Sequence, residues 1–135
     1  MRYGGAIKVQ SGNATVLNCV FMGNNAIAGS VVYAMQSATG LVVNYCIFED
    51  YSTNATVIAN DNTKFTVDAN YNYFGTNNNP ANLTSGSVNT TYWTVLTVTP
   101  ADDKIVETKT VKLNIDFTKF TDGKNNYTLS KAMLI

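Results

Sequence analysis

One short phrase occurs three times in this chain, and its spacing narrows the folds open to it. The copies are Leu17-Asn18-Cys19-Val20-Phe21, Asn44-Tyr45-Cys46-Ile47-Phe48 and Asn70-Tyr71-Asn72-Tyr73-Phe74. The step is 27 residues from Cys19 to Cys46 and 26 from Cys46 to Asn72. A second phrase advances with it: Gly4-Gly5-Ala6-Ile7, then Gly29-Ser30-Val31-Val32, then Ala55-Thr56-Val57-Ile58. Self-similarity at a fixed period of this size marks a stacked repeat architecture.

The repeated material is β. Each phrase is short and rich in Val, Ile, Tyr and Phe. Clusters such as Ser11-Gly12-Asn13, Gly23-Asn24-Asn25 and Asp61-Asn62 separate the phrases. That alternation reads as strand, turn, strand, turn. No stretch carries a sustained 3.6-residue apolar stripe, so helix beyond a single turn is not expected. The predicted fold is all-β: a parallel β-helix of about three coils, over residues 1–28, 29–54 and 55–80. Each coil would bury its apolar face only by stacking on the next.

Period-two alternation assigns the faces. Leu17, Cys19 and Phe21 share one face, as do Cys46 with Phe48 and Asn72 with Phe74. The column of phenylalanines makes this the core face. Tyr45, Ile47, Tyr71 and Tyr73 then point outward, with Tyr45 stacking over Tyr71 and Ile47 over Tyr73.

The pattern changes after Phe74. Gly75 and Thr76-Asn77-Asn78-Asn79-Pro80 form a turn with a breaker, and the terminal repeat of a stack is expected to be atypical. Residues 76–93 are read as a cap, with the single Trp93 covering the core; an exposed Trp93 stacking on a sugar is the competing reading. The alternating run Trp93–Thr99 leads to a boundary at Pro100. Beyond it, Val111–Phe117 alternates as a half-buried antiparallel strand. Thr121–Asn125 makes a turn and Tyr127-Thr128-Leu129 another strand. Residues 1–99 therefore form one predicted unit and residues 100–135 a partial second β unit, too short to close a domain of its own.

Only 13% of the residues are charged, about half of the ~25% usual in globular domains. Asn and Thr, roughly a quarter of the chain together, fill the gap. Such a surface suits turns and glycosylation rather than electrostatic capture. The formal net charge is zero with no basic block, which disfavours nucleic acid and anionic membrane as partners. No apolar run is long enough to span a bilayer. Asn13, Asn54, Asn82, Asn89 and Asn126 stand in Asn-x-Ser/Thr sequons, either as acceptor sites on exposed loops or as by-products of composition. Met1-Arg2-Tyr3 runs straight into the first Gly-Gly phrase without a signal-peptide pattern. The chain thus reads as starting inside a coil, a piece of a longer protein.

Candidate chemistry is sparse. The chain has no histidine, which removes the commonest general base and metal ligand. Cys19 and Cys46 fall in register on the core face. There, stacked reduced thiols are favoured over a disulfide, whose geometry is demanding. Glu49 and Asp50 align with Met22 and Gly23 one coil before and with Gly75 and Thr76 one coil after. No second carboxylate faces them, as glycoside hydrolysis would require. Asp61, Asn62 and Asp68 are read as turn residues, with a calcium site as the minor alternative. No catalytic residue, cofactor or metal is assigned. Tyr45, Tyr71 and Tyr73, with Asn18, Asn44 and Asn70 beside them, form the candidate ligand-binding face, since aromatic rings among amides suit sugars or partner proteins. The competing reading is that another segment covers this face. Asn44 with Asn70, and Asn24 with Asn77 or Asn78, are candidate amide ladders.

The Gly-Gly-Ala-Ile start, the Asn18–Phe21 phrase and the Asn72–Gly75 close, followed by Pro80 and Trp93, resemble archaeal adhesin-like proteins. These are cell-surface proteins of methanogens with right-handed, pectin-lyase-like parallel β-helix repeats, often followed by Ig-like domains. The resemblance implies the right hand of the coil and an Ig-like identity for residues 100–135. It also implies a cell-surface or extracellular location, a non-catalytic adhesive or envelope role, and glycans or envelope proteins as partners. It supplies no residue-level binding site. The alternatives are a partial or degenerate carbohydrate-active β-helix enzyme and a non-functional gene fragment.

Overall fold

The computed structural model describes residues 2–52, 55–101 and 110–130. Among the described residues the chain is all-β apart from one 3-10 turn at Pro80–Leu83. The strands in order are β1 (Ile7–Val9), β2 (Gly12–Leu17), β3 (Val20–Met22), β4 (Val32–Ala34), β5 (Ala38–Asn44), β6 (Ile47–Glu49) and β7 (Ile58–Asn60). They continue with β8 (Val67–Asp68), β9 (Thr84–Ser85), β10 (Val88–Asn89), β11 (Trp93–Pro100), β12 (Leu113–Thr121) and β13 (Asn126–Thr128). Among the described residues no helix is long and apolar enough to cross a membrane.

Three parallel sheets carry the repeat. Their strand orders are β1-β4-β7-β9, β2-β5-β8-β10 and β3-β6. The register follows the spacing of the phrases. Ile7 pairs with Val32, Val32 with Ile58 and Ile58 with Thr84. Val20 pairs with Ile47, and Ile47 bridges to Tyr73. The same side-chain types therefore lie over one another in columns. The rings of Phe21 and Phe48 stack at 5.5 Å, and Phe48 meets Phe74 at 5.2 Å. Val32, Val43, Phe48, Ile58, Val67 and Phe74 are fully buried between the sheets. Burying such a side chain stabilises by about 1.5–3 kcal/mol.

The period-two reading fails at one point of each phrase. Asn18, Tyr45 and Tyr71 have φ of 55°, 59° and 62°. A left-handed residue turns the chain, so each phrase is a strand, a corner and a second strand. Leu17 consequently faces solvent at 46% exposure instead of joining Cys19 and Phe21, and the inward residue before the corner is Val16. The Gly-Gly phrase has a similar origin. Gly4 and Gly29 both take positive φ, and a Cβ at either would run into the carbonyl of Ile7 or Val32.

The expected count of three rows was one short. Beyond the 3-10 turn, β9 and β10 add a fourth strand to two of the sheets. Asn72 bridges to Trp93, and Tyr71 N–H donates to Tyr92 C=O at 2.8 Å. Tyr92-Trp93-Thr94 therefore takes the place of the corner in a fourth row, although Tyr92 does not repeat the left-handed backbone of Asn18, Tyr45 and Tyr71. It was hidden because the step has shrunk: Val67 pairs with Val88. Trp93 ends the Cys19/Cys46/Asn72 column at 4% exposure and donates its indole N–H to Asn77 C=O at 3.0 Å. It closes the stack and has no ring face free for a sugar.

After Trp93 the pairing becomes antiparallel. β11 pairs with β12, and β12 with β13. The boundary expected at residues 99/100 falls at the end of β11, whose partner strand lies beyond it, so 93–100 and 113–121 share a sheet. Val111–Phe117 is not uniformly half-buried. Leu113 and Ile115 are 57% and 64% exposed, and burial begins further along β12, reaching Phe120 and Thr121.

Candidate functional site

The corner residues build an aromatic row. Tyr45 stacks on Tyr71 at 5.3 Å with 7° between planes, and Tyr71 on Tyr92 at 5.7 Å with 5°. A left-handed backbone costs a non-glycine residue about 1–2 kcal/mol. Tyr45 and Tyr71 hold it because in-register stacking aligns their rings. Asn18, at the same position of the first phrase, tolerates this conformation on its own.

The row is a clamp rather than an open face. Phe120 stands edge-on to Tyr71 at 5.0 Å and to Tyr92 at 5.8 Å, and its own ring stacks with Tyr127 at 5.1 Å. Phe117 stands edge-on to Tyr73 at 5.3 Å. Edge-to-face pairs add about 0.5–1.5 kcal/mol beyond the area they bury. The β12–β13 hairpin thus covers the face expected to be outward. Tyr73 is 7% exposed, while Tyr45 and Tyr71 are half-buried. Burial raises the phenol pKa of Tyr71, assisted by Tyr45 and Tyr92. Burial raises that of Tyr73 as well, assisted by the Glu49 carboxylate. Both phenols therefore stay protonated across the biological pH range.

Tyr45, Tyr71 and Tyr73 are brought together around one cavity of about 110 Å3, closed on the other side by Phe117 and Leu129. That is below the roughly 300 Å3 at which small-molecule sites begin. It suits one apolar side chain. The uncovered remainder of the face runs from Tyr45 to Ile47 and Val20, the last 61% exposed.

The remaining candidates separate into other networks. Cys19 and Cys46 are free thiols. Burial pushes Cys46 up to about 11, so it is an inert core residue. Glu49 and Asp50 border a hollow of about 250 Å3 with Tyr51 and Gly75. The Tyr51 hydroxyl donates to Phe74 C=O. Asp61 accepts from the Tyr33 hydroxyl, and burial and this carboxylate push Tyr33 up to about 12. Asp68 accepts from the amides of Asn44 at 3.2 Å and Asn70 at 2.7 Å. Asn62 donates to Gln36 and Ala38 carbonyls, both at 2.7 Å. Asp61, Asn62 and Asp68 thus serve three different networks, not one calcium cage. No cluster of three or more His, Cys, Asp or Glu is present among the described residues.

The amide ladders take a different form from the one expected. Asn44 and Asn70 meet on Asp68, and the Asn24 and Asn77 amides donate to the carbonyls of Met22 and Leu96. The working amides are Asn72, which the sequence pattern placed on the core face, and Asn60 and Asn62, which it did not single out as buried. Of the sequons, Asn13, Asn82, Asn89 and Asn126 are exposed, and Asn54 lies outside the described residues. Compared with protein-family models, curated proteins and solved structures, the chain matches none.

Proposed function

We propose that residues 1–99 are coils of a right-handed parallel β-helix and residues 100–135 the opening of an Ig-like unit. Together they serve as a non-catalytic, cell-surface adhesin-like or envelope structural segment. The near-constant offset in three parallel sheets, with like residues in columns, carries this reading. It describes a rod whose side chains are spent on stacking. The half-buried tyrosine row supports it, because its rings join the rod to the following antiparallel unit. The sparsely charged, Asn- and Thr-rich surface with four exposed sequons fits an exported, glycosylated protein. Contact with glycans or envelope proteins falls to the uncovered end of the row, at Tyr45.

The test is binding of the full chain to immobilised envelope polysaccharides and envelope protein extract, beside a Tyr45→Ala variant. Saturable binding that Tyr45→Ala weakens at least tenfold, with unchanged thermal unfolding, is the expected result. No binding by the parent chain, or turnover of any polysaccharide into new reducing or unsaturated ends, would overturn the reading.

A further inference from the structure

The fold treats the four sequons on described residues differently. Asn13 and Thr15 lie in β2, and Asn126 and Thr128 in β13. Along an extended strand a residue and its second neighbour are about 6.5 Å apart, and neither threonine bonds to its asparagine. The Thr128 hydroxyl instead accepts from the Lys119 ammonium at 2.7 Å. Asn82 sits in the 3-10 turn, and the hydroxyl of its Thr84 turns back to donate to Ala81 C=O at 3.2 Å.

Asn89 is built otherwise. It ends β10, where the chain leaves the strand toward Trp93. Its Oδ1 accepts from the Thr91 N–H at 3.0 Å and from the Thr91 hydroxyl at 2.7 Å. Because a backbone N–H can only donate, the atom facing it is the amide oxygen. Both ends of this turn are tied to the preceding row. Ala69 N–H donates to Asn89 C=O at 2.9 Å, and Tyr92 N–H to Asn70 Oδ1 at 3.0 Å. Asn89 and Thr91 are both exposed. With Oδ1 held against the turn, Nδ2 is the free end of the exposed amide.

An amide nitrogen is a poor nucleophile because its lone pair is delocalised into the carbonyl. It becomes a better one as it gives up a proton, and charge then collects on the oxygen. Hydrogen bonds to a charged form favour that form. Two donors already aimed at Oδ1 therefore act as a small oxyanion hole.

We propose that Asn89 is the preferred acceptor of an N-linked glycan among Asn13, Asn82, Asn89 and Asn126, selected by this turn. The inference rests on the exported, glycosylated reading above. The donor it takes is a glycan carried on a lipid phosphate. Asn89 Nδ2 gives a proton to a base of the transferase and bonds to the anomeric carbon. The bond from that carbon to the phosphate oxygen breaks, and the lipid phosphate leaves with the electron pair.

The test uses the full folded chain, produced without sugars, and short peptides spanning each of the four sequons. Both are incubated with membranes of the native cells, which supply transferase and lipid-linked glycan, and occupancy is followed by peptide mass mapping. In the folded chain Asn89 is expected to be modified at least fivefold faster than Asn13, Asn82 or Asn126. Among the peptides, which lack the preceding row that holds the turn, the rates are expected to agree within about twofold. Equal rates in the folded chain, faster modification of another sequon, modification of the peptides alone, or the same Asn89 preference among the peptides would each overturn the inference and leave the exported reading standing. No sugar on any sequon, in chain or peptides, would overturn that reading and the inference with it.

Discussion

Asn72 shows how much of the core is polar and yet satisfied. It is fully buried in the column of Cys19 and Cys46. Its amide donates to Val43 C=O at 2.6 Å and Ala69 C=O at 2.8 Å, and its oxygen accepts Cys46 N–H at 2.8 Å. One side chain thus ties two rows together at the corner. Removing it strands three buried backbone groups, each costing about 1–3 kcal/mol if left unpaired. Asn72→Ala is expected to lower unfolding stability by about 2–4 kcal/mol in urea titrations, whereas exposed Asn13→Ala stays within about 0.5 kcal/mol. The sequence placed Asn72 on the core face but could not show its bonds, because the register that supplies them is a tertiary property. At the same scale, thiol reagents at pH 8 are expected to label Cys19 and spare Cys46. Cys46 is 1% exposed with its pKa raised by burial. Equal labelling rates would show that the second row opens as readily as the first.

At the scale of elements, the hairpin β12–β13 and the stack are held together by few residues. Phe120 touches Tyr71, Tyr92 and Tyr127 at once. Phe120→Ala is expected to speed amide exchange in β12 and β13 by more than tenfold while Val32–Ala34 and Val43 remain protected. Uniform acceleration would mean that the two parts unfold together. The hairpin also carries a pH dependence. Asp116 is held below the usual carboxylate range by the Thr118 hydroxyl and N–H, and Asp122 by the N–H groups of Asn125 and Lys124. A carboxyl lowered in the folded state stabilises above its ordinary pKa, near 3.9, and that stabilisation fades as pH falls through the lowered value. Hairpin amide signals are therefore expected to broaden or shift below about pH 4 while those of the parallel sheets persist. The sequence marked both strands and the turn between them. It did not show that the hairpin folds back over the tyrosines, since alternation says which residues share a face and not what covers it.

For the whole molecule, the repeat was legible because like residues recur at a near-constant step, and the register of β1, β4 and β7 follows that step. The fourth row was not, because the step shortens and Tyr92-Trp93-Thr94 no longer resembles Asn-x-Cys-x-Phe. Leu17 was misassigned because a period-two reading cannot see a left-handed corner. What the molecule does is less legible than how it is built. Its aromatic residues, the best candidates for contact, are largely engaged by its own hairpin. The proposed surface-borne, non-catalytic role is tested most directly by cell fractionation with peptide mass mapping of the protein in its native cells. The expected result is recovery in the envelope fraction, with sugars on one or more of Asn13, Asn82, Asn89 and Asn126. Recovery of unmodified peptides from the cytoplasmic fraction alone would contradict it.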